Sequence, residues 1–455
     1  MIPVLTPEEM RAVDRAAPEP VEVLVERAGA AVARAAVDLM GGAYGRRVVV
    51  VAGKGNNGAD GRVAAERLRR RGVRVVVIDV AEQPDRLPPC DLVVDAAFGT
   101  GFRGEYQAPD PAGAPVLAVD IPSGLDGLTG EAQPGAVRAG ATITFAALKT
   151  GLLLAAGPDH AGAVSVADIG LDVSRSTIGL VERADVASWL PPRPRESHKW
   201  KSAVWMVAGS PGMTGAADMA ARAAMRSGAG TVRLGVPGHP PAPRFPEVVG
   251  RPLAASGWDQ EVAADLRRVK AVVIGPGLGR SDATRAAVRA LLAAVTVPVV
   301  VDADALFALG SLDDPVRILK ARPGPTVLTP HDGEFARLTG CPAGPRRISA
   351  VCHLAAGTGA TVLLKGSTTV VADPSGQVLL TNSGDARLAT AGTGDVLAGV
   401  VGALLAQGLP GPRAAAGGAF VHGAAARLGW GRGLVAGDLL DLLPAAFAQL
   451  APQDP

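Results

Sequence analysis

Cysteine, aromatic residues and net charge are all scarce in this 455-residue chain. The only cysteines are Cys90, Cys341 and Cys352, and their spacing gives neither a CxxC pair nor a disulfide framework, so we expect a reducing, cytoplasmic location. Aromatic residues make up 3% of the chain and the formal net charge is +2, with no basic block, which predicts no nucleic-acid partner. No apolar run is long enough to span a bilayer and the acidic N-terminal segment is unlike a signal peptide, which predicts no membrane partner.

Lysine is also scarce, because the chain has only seven lysines and carries most of its positive charge on arginine. A lysine at the end of a predicted strand is therefore a candidate site residue. A composition that is 48% hydrophobic and 19% charged, over this length, predicts a globular protein with more than one domain. The stiff, polar run 191–195 (PPRPR) is the best boundary, so we predict domains over residues 1–190 and 196–449.

A glycine-rich loop follows the first apolar strand of the chain, Val48 to Ala52, and leads into a helix and a second strand. Gly53, Gly55 and Gly58 fit the G-x-G-x-x-G pattern, with Asp79 about twenty residues on, as in the dinucleotide site of a nicotinamide-dependent oxidoreductase. Asn56, Asn57 and Asp60 argue for something else, since amide and carboxylate oxygens suit a hydroxylated ligand or a hard cation better than a pyrophosphate.

Polar residues also end the later strands of the first half. They are Asp95, Asp120, Ser123 and Lys149. In a parallel α/β sheet the carboxyl ends of the strands form the ligand crevice, so these residues and Asn57 are expected near one edge. Each residue taken singly is more often a cap or turn residue, but five of them at one edge favour a site.

The second half repeats the α/β alternation, with strands that end in residues 275–279 (GPGLG), in Asp302 and Asp304, in His331, and in Lys365. The stretch 391–395 (AGTGD) then opens a long apolar helix, and its free backbone N–H groups make an anion site. Asp395, in the first helical turn, can take a proton from a hydroxyl that is about to meet a phosphoryl group. The alternatives are that residues 392–395 (GTGD) are a turn with an Asp cap and that His331 is a helix cap.

The first half, over about residues 1–185, resembles the NAD(P)H-hydrate epimerase family in its 53–61 loop, in Asp95 with residues 99–104, in residues 119–124 (VDIPSG) and in 149–152 (KTGL). The resemblance implies a potassium ion held by Asn57, Asp95 and Ser123, and exchange of the R and S configurations at C6 of a hydrated nicotinamide ring. The acid–base group that this chemistry needs is predicted to be Asp120, with Lys149 the weaker candidate. Besides Asp120, the implied contacts to the hydrated dinucleotide are Asn56, Asn57, Gly58, Ala59, Asp60, Gly99, Thr100, Gly101, Phe102, Arg103, Gly104 and Glu105.

The second half, over about residues 196–448, resembles the ADP- or ATP-dependent NAD(P)H-hydrate dehydratase family, which has the ribokinase-like fold. The residues that carry the resemblance are 212–217 (GMTGAA), 275–279, 329–334 (TPHDGE), 365–369 (KGSTT) and 391–399. By resemblance Ala216, Gly277, His331 and Asp395 would contact the hydrate. The adenine nucleotide would be bound by Lys365, Gly366, Ser367, Thr368, Thr369 and Gly394. The chain departs from the family pattern at Ala59, where glycine is usual, at Trp200, and at residues 386–388.

We therefore predict an α/β protein with an N-terminal Rossmann-like three-layer domain and a C-terminal ribokinase-like domain. The resemblance implies a bifunctional enzyme that repairs NAD(P)H hydrates. The expected cofactors are potassium, magnesium and ADP, with ADP as the phosphoryl donor. We also expect a homo-oligomer. The nearest rival is a ribokinase-like kinase of a vitamin-precursor alcohol. An oxidoreductase and a dinucleotide-binding scaffold without catalysis also stay open.

Overall fold

The computed structural model describes residues 1–240, 244–311 and 313–450, with no account of the side chains of 313–315. It divides into two compact units, Ile2–Ile178 and a second that starts at Gly179 and also takes in Met1. No helix in these ranges is both long enough and apolar enough to cross a membrane. The α/β class predicted from the sequence is confirmed in both units.

The first unit is built around a parallel sheet. Its strands are β1 Ile2–Leu5, β2 Arg47–Ala52, β3 Arg74–Asp79, β4 Leu92–Ala96, β5 Val116–Val119, β6 Ala141–Phe145, β7 Leu148–Lys149 and β8 Ala163–Ala167. Six of them form the sheet, in the order β3-β2-β4-β5-β6-β8, and β1 pairs with β7. The helices are α1 Pro7–Ala16, α2 Val21–Met40, α3 Asn56–Arg70, α4 Thr150–Leu153 and α5 Gly157–Ala161. A strand β9, Ile178–Leu180, runs across the division between the units.

The two faces of this sheet are covered differently. Residues of α1, α2 and α3 pack on one face, where the alternate side chains Val48, Val50 and Ala52 of β2 point. The opposite face packs against the connections between β3 and β6, through residues such as Leu87 and Tyr106. Described residues 83–140 contain no α-helix, since prolines recur through them and each proline removes a backbone donor. The third layer is therefore irregular chain.

The second unit has a larger sheet. Its strands are β10 Ala203–Val207, β11 Thr231–Pro237, β12 Val249–Leu253, β13 Ala271–Ile274, β14 Val299–Val301, β15 Thr326–Leu328, β16 Thr361–Leu364, β17 Thr369–Ala372 and β18 Val378–Thr381. The order is β12-β11-β10-β13-β14-β15-β16-β17-β18, parallel as far as β16 and antiparallel for the last two pairs. The helices are α6 Arg183–Trp189, α7 Thr214–Arg226, α8 Trp258–Ala264, α9 Asp282–Ala294, α10 Asp304–Leu309, α11 Asp313–Lys320, α12 Asp332–Thr339, α13 Arg347–Thr358, α14 Thr393–Ala406, α15 Gly411–Leu428 and α16 Ala436–Ala448.

Helix α14 is the central helix of the second unit and is buried along nearly its whole length. It packs in one core with α7, α15 and α16, which is why its sequence is apolar on all sides. A Cβ on Gly399 would lie 2.1 Å from the carbonyl oxygen of Ala220, so a glycine is needed for α7 to approach this closely. This packing places the N-terminus of α14 at the carboxyl ends of the strands.

The segment that precedes the proline run packs with the second unit. The N–H of Val181 donates to the carbonyl of Leu380, and Val186 of α6 is buried in the core that holds α14. The run 191–195 thus lies inside the second compact unit. The functional limits 1–190 and 196–449 stay predictions.

Candidate active sites

A cavity of about 620 Å³ opens at the carboxyl edge of the first sheet. Nine of the residues predicted for this site line it. They are Asn56, Asn57, Asp60, Gly99, Thr100, Gly101, Phe102, Asp120 and Lys149. The other predicted residues are not among its lining residues; they are Gly58, Ala59, Asp95, Arg103, Gly104, Glu105 and Ser123.

Helix α3 begins inside the glycine motif, so Asn56, Asn57 and Asp60 lie in its first turns. A Cβ on Gly58 would lie 1.9 Å from the carbonyl oxygen of Gly53, so this glycine serves close packing of the helix on the preceding strand. Both Oδ1 and Nδ2 of Asn57 are buried and have no hydrogen-bond partner among the described residues. A buried, unsatisfied amide oxygen at a cavity wall indicates a missing ligand.

Asp95 and Ser123 form a buried pair that is not part of the lining of this cavity. Oδ1 of Asp95 lies 2.7 Å from the Ser123 hydroxyl, and Oδ2 accepts from the Ser123 N–H at 2.8 Å. The Ser123 hydroxyl also accepts from the N–H of Phe98 at 2.9 Å. Burial raises the pKa of Asp95 to about 6, against the lowering effect of these hydrogen bonds. A bound cation would favour the ionised carboxylate.

Lys149 and Asp120 form an ion pair in the wall of the cavity, with Nζ 2.7 Å from Oδ1. The lysine side chain is 1% exposed, and its ammonium also donates to the Thr144 hydroxyl and the Phe145 carbonyl, each at 2.9 Å. Asp120 has a φ of +65°, and the N–H of Ile121 donates to the carbonyl of Val119, so the carboxylate is held on a γ-turn. Such strained backbone is typical of functional sites.

Asp60 also lines this cavity, and its pKa differs from the usual value of an aspartate. Burial raises its pKa to about 8, helped by the negative charges of Asp120 and Asp14 and opposed by Lys149. Asp60 is therefore mostly protonated at neutral pH, whereas Asp120 is paired with an ammonium. Environments that differ in this way separate an acid from a base.

Asp79, the residue that favoured an oxidoreductase, has other partners. Its Oδ2 lies 3.2 Å from Nη2 of Arg62, and its Oδ1 accepts from the N–H of Ala81 at 3.0 Å. Asp14 and Phe145, in contrast, line the cavity although neither was predicted as a site residue. Asp14 lies on α1, far from any motif, and the sequence gives no signal for it.

The second candidate site lies at the start of α14. Gly392 is its N-cap, with a φ of +90°, and no side chain of the described residues caps the helix. Thr393 turns away from the open end, because its hydroxyl donates to the carbonyls of Leu388 and Thr390. The first-turn amides are left for a ligand, as an anion site requires.

The ammonium of Lys365 lies beside this helix start. A Cβ on Gly394 would be 3.3 Å from Nζ, and the same Nζ donates to Oδ1 of Asp302 at 2.7 Å. Asp302 is 1% exposed and also accepts from the Thr329 hydroxyl at 2.7 Å. Burial opposes the charge of Lys365, but Asp302, Glu334 and Asp395 outweigh it and raise the pKa of the lysine. The lysine stays charged next to the open amides.

Asp395 is half-buried in the first turn of α14. Burial raises its pKa to about 6, with further increase from Asp302 and a lowering effect of Lys365. A carboxylate with a pKa near neutrality is suited to accept a proton from a hydroxyl.

The remaining predicted residues surround the same edge of the sheet. A Cβ on Gly277 would lie 3.0 Å from Cβ of Ala216, so these two residues are in contact. His331 is the N-cap of α12, as the alternative interpretation has it, and its Nδ1 accepts from the N–H of Gly333 at 3.0 Å. Its ring is nevertheless more than half exposed.

The predicted nucleotide loop forms the hairpin between β16 and β17. Gly366 and Ser367 are exposed, Thr368 is buried, and Thr369 begins β17. Arg347 holds the start of the loop by donating to the carbonyl of Lys365 at 3.0 Å. The roles of these residues stay predictions.

Two family models match the chain. One, described as NAD(P)H-hydrate dehydratase, matches residues 204–444, which is more than half of the chain. The other, described as YjeF-related protein N-terminus, matches residues 21–88 and 79–151.

The chain is also similar to curated proteins over almost its whole length. The bifunctional NAD(P)H-hydrate repair enzyme Nnr of Moorella thermoacetica is 38% identical, over 98% of this chain and 97% of the relative. The chain belongs to the bifunctional NAD(P)H-hydrate repair enzyme family. The protein of that name from Mycobacterium tuberculosis (strain H37Rv) is 40% identical, over 83% of this chain and 82% of the relative. The family predicted from the motifs is confirmed, and a vitamin-precursor kinase is not favoured.

A solved structure is similar to the second half of this member of the repair-enzyme family. The ADP/ATP-dependent NAD(P)H-hydrate dehydratase of Bacillus subtilis, co-crystallised with ATP/Mg2+, is 34% identical with a TM-score of 0.52. The match covers 59% of this chain and 98% of that one. The ribokinase-like fold predicted for the second half is thereby confirmed.

Proposed function

We propose that this chain repairs hydrated NADH and NADPH. Its second unit dehydrates the S-hydrate at the expense of ADP, and its first unit interconverts the R and S hydrates. The observation that carries the proposal is the position of Asp395 in the open first turn of α14, next to the charged Lys365. Family membership over nearly the full length supports both activities.

In the dehydratase, Asp395 takes the proton of the C6 hydroxyl, and the oxygen attacks the terminal phosphate of ADP. A P–O bond forms and AMP leaves. The first-turn amides of α14 and the Lys365 ammonium stabilise the charge that develops on the transferred group. The C6–O bond then breaks with loss of phosphate, and loss of a proton from C5 restores the double bond. A hydroxyl is a poor leaving group and a phosphate a good one, which is why a nucleotide is consumed.

In the epimerase, we assign acid and base to different carboxyl groups. Asp60, mostly protonated, donates a proton to the departing C6 hydroxyl while the ring nitrogen forms a double bond to C6. Asp120, which is paired with Lys149, takes a proton from the water that adds to the other face. Lys149 holds the Asp120 carboxylate in place.

The unsatisfied side-chain amide of Asn57 supports a potassium ion at this site, because hard cations bind amide carbonyl oxygens. Asn57, Asp95 and Ser123 would hold the ion. When bound, it supplies positive charge at the cavity wall. For the second unit, the ATP/Mg2+ complex of the Bacillus subtilis relative supports the use of an adenine nucleotide with magnesium.

The dehydratase assignment is tested with purified S-hydrate and ADP, by following the near-ultraviolet absorbance of the product. We expect NADH, AMP and phosphate in equal amounts, and a loss of about a thousandfold in kcat for Asp395→Asn, the scale of general-base catalysis. Asp282→Asn is the matched control, because Asp282 also lies in a first helical turn but is 96% exposed. Near-normal turnover of Asp395→Asn would contradict the mechanism.

We infer a cytoplasmic location from the three cysteines, all of which are free. A homo-oligomer with no nucleic-acid or membrane partner stays our expectation from the sequence and the family resemblance. Sedimentation of the full chain tests the oligomer.

A further inference from the structure

A smaller cavity, of about 250 Å³, lies next to His331 at the carboxyl edge of the second sheet. Arg280, Phe307 and Arg337 are among its lining residues. None of the three was predicted from the sequence. The guanidinium carbon of Arg280 is 4.9 Å from the centroid of the Phe307 ring, and that of Arg337 is 4.3 Å from it. The guanidinium carbon of Arg285 is 5.7 Å from the same centroid, so three arginines contact this ring, and of these Arg280 and Arg337 line the cavity.

Arg280 is held in place by Asp304, which is 8% exposed. One oxygen of Asp304 accepts from Nε of Arg280 at 2.7 Å, and the other accepts from the N–H of Gly279 at 2.9 Å. This carboxylate fixes both the arginine and the end of the loop that contains Gly277, one of the predicted substrate contacts. The remaining nitrogens of the guanidinium are available, since the side chain is 59% exposed.

Arg337 lies on α12, the helix that His331 caps. Among the described residues Arg337 forms no ion pair with any Asp or Glu, and its guanidinium packs against the Phe307 ring. Glu334, the acidic residue that lines the cavity, is engaged in the capping box and accepts from the N–H of His331 at 2.9 Å. Arg337 therefore lies in the wall of this cavity without an ion-pair partner among the described residues.

We propose that Arg280 and Arg337 bind a phosphate group of the hydrated dinucleotide during dehydration. The inference rests on the function proposed above. A guanidinium matches phosphate geometry with paired N–H donors, and two of them against one ring make a site for a dianionic group. The dinucleotide offers two sources of this chemistry, the pyrophosphate that both hydrates contain and the 2′-phosphate that only NADPH hydrate contains.

The test compares kcat and KM of Arg280→Gln and Arg337→Gln for the S-hydrates of NADH and NADPH. We expect KM to rise by about tenfold with kcat nearly unchanged, the effect of losing one charge-assisted contact. A rise for both hydrates identifies the pyrophosphate, and a rise for NADPH hydrate alone identifies the 2′-phosphate. Arg285→Gln is the matched control, since this arginine lies 5.7 Å from the same ring but does not line the cavity.

Binding of NADH and NADPH, measured by titration calorimetry, keeps the inference separate from the proposed function. A wild-type chain that binds them but turns over neither hydrate contradicts the function, while weaker binding by the variants still supports the phosphate site. Arg337→Gln removes no ion pair of the described residues, and circular dichroism of the variant checks its folding. If KM and the binding constants of Arg337→Gln equal those of Arg285→Gln, the proposal is overturned.

Discussion

Nζ of Lys365, which follows β16, lies 2.7 Å from Oδ1 of Asp302, a carboxylate that is 1% exposed and follows β14, two strands away in the sheet. The same ammonium flanks Gly394 in the first turn of α14. One ion pair therefore joins the core of the second unit to the anion site. Charges at the site have structural as well as catalytic consequences.

Lys365→Met is expected to destabilise the second unit, because Asp302 keeps a buried charge without its partner. The loss in unfolding free energy should be about 3–5 kcal/mol, as for other broken buried pairs. Denaturant unfolding measures it. The double variant Lys365→Met/Asp302→Leu should regain most of the stability but bind no ADP, and a double variant as unstable as the single one would argue against the pairing.

The dehydratase should lose activity in mild acid. The pKa of Asp395 is raised to about 6 in the folded chain, and the base works only when ionised, so kcat/KM should fall as the pH drops through that value. A profile of kcat/KM for the S-hydrate against pH, with ADP at saturating concentration, measures this. A profile that stays flat from about pH 7 to pH 5 would show that another group takes the proton.

Lys149→Met should slow epimerisation and leave dehydration intact. The ammonium is the ion-pair partner of Asp120, and without it the Asp120 carboxylate is no longer held in place, so we expect a loss of about a hundredfold in epimerase rate. With ADP present, the variant should repair pure S-hydrate normally and pure R-hydrate hardly at all. Equal repair of both epimers would remove Lys149 from the mechanism.

The epimerase rate, but not the dehydratase rate, should depend on potassium. Exchange of potassium for tetramethylammonium removes the ion that we assign to Asn57, Asp95 and Ser123, and the Asn57 amide is then unsatisfied again. We expect slower epimerisation, restored by added potassium, with Asn57→Ala insensitive to it. If wild-type epimerisation is the same in both salts, the cation site is not used.

The sequence by itself determined the local structures and the family. The alternation of apolar strands and helices predicts the α/β fold, and residues 391–395 predict a helix start with Asp395 in its first turn, as the structure has it. These features depend on neighbouring residues, whose backbone preferences can be read along the chain. Motifs such as 53–61 and 365–369 carry the family resemblance for the same reason.

Only the tertiary structure decided which side chains meet. Asp120 and Lys149 are 29 positions apart and Asp302 and Lys365 are 63 apart, and each pair meets because of how the strands and loops of its unit pack. The same holds for the two arginines at Phe307 and for Asp79, whose carboxylate is taken by Arg62. Periodicity reports conformation, whereas distances between strand ends are fixed by the packing of the whole unit.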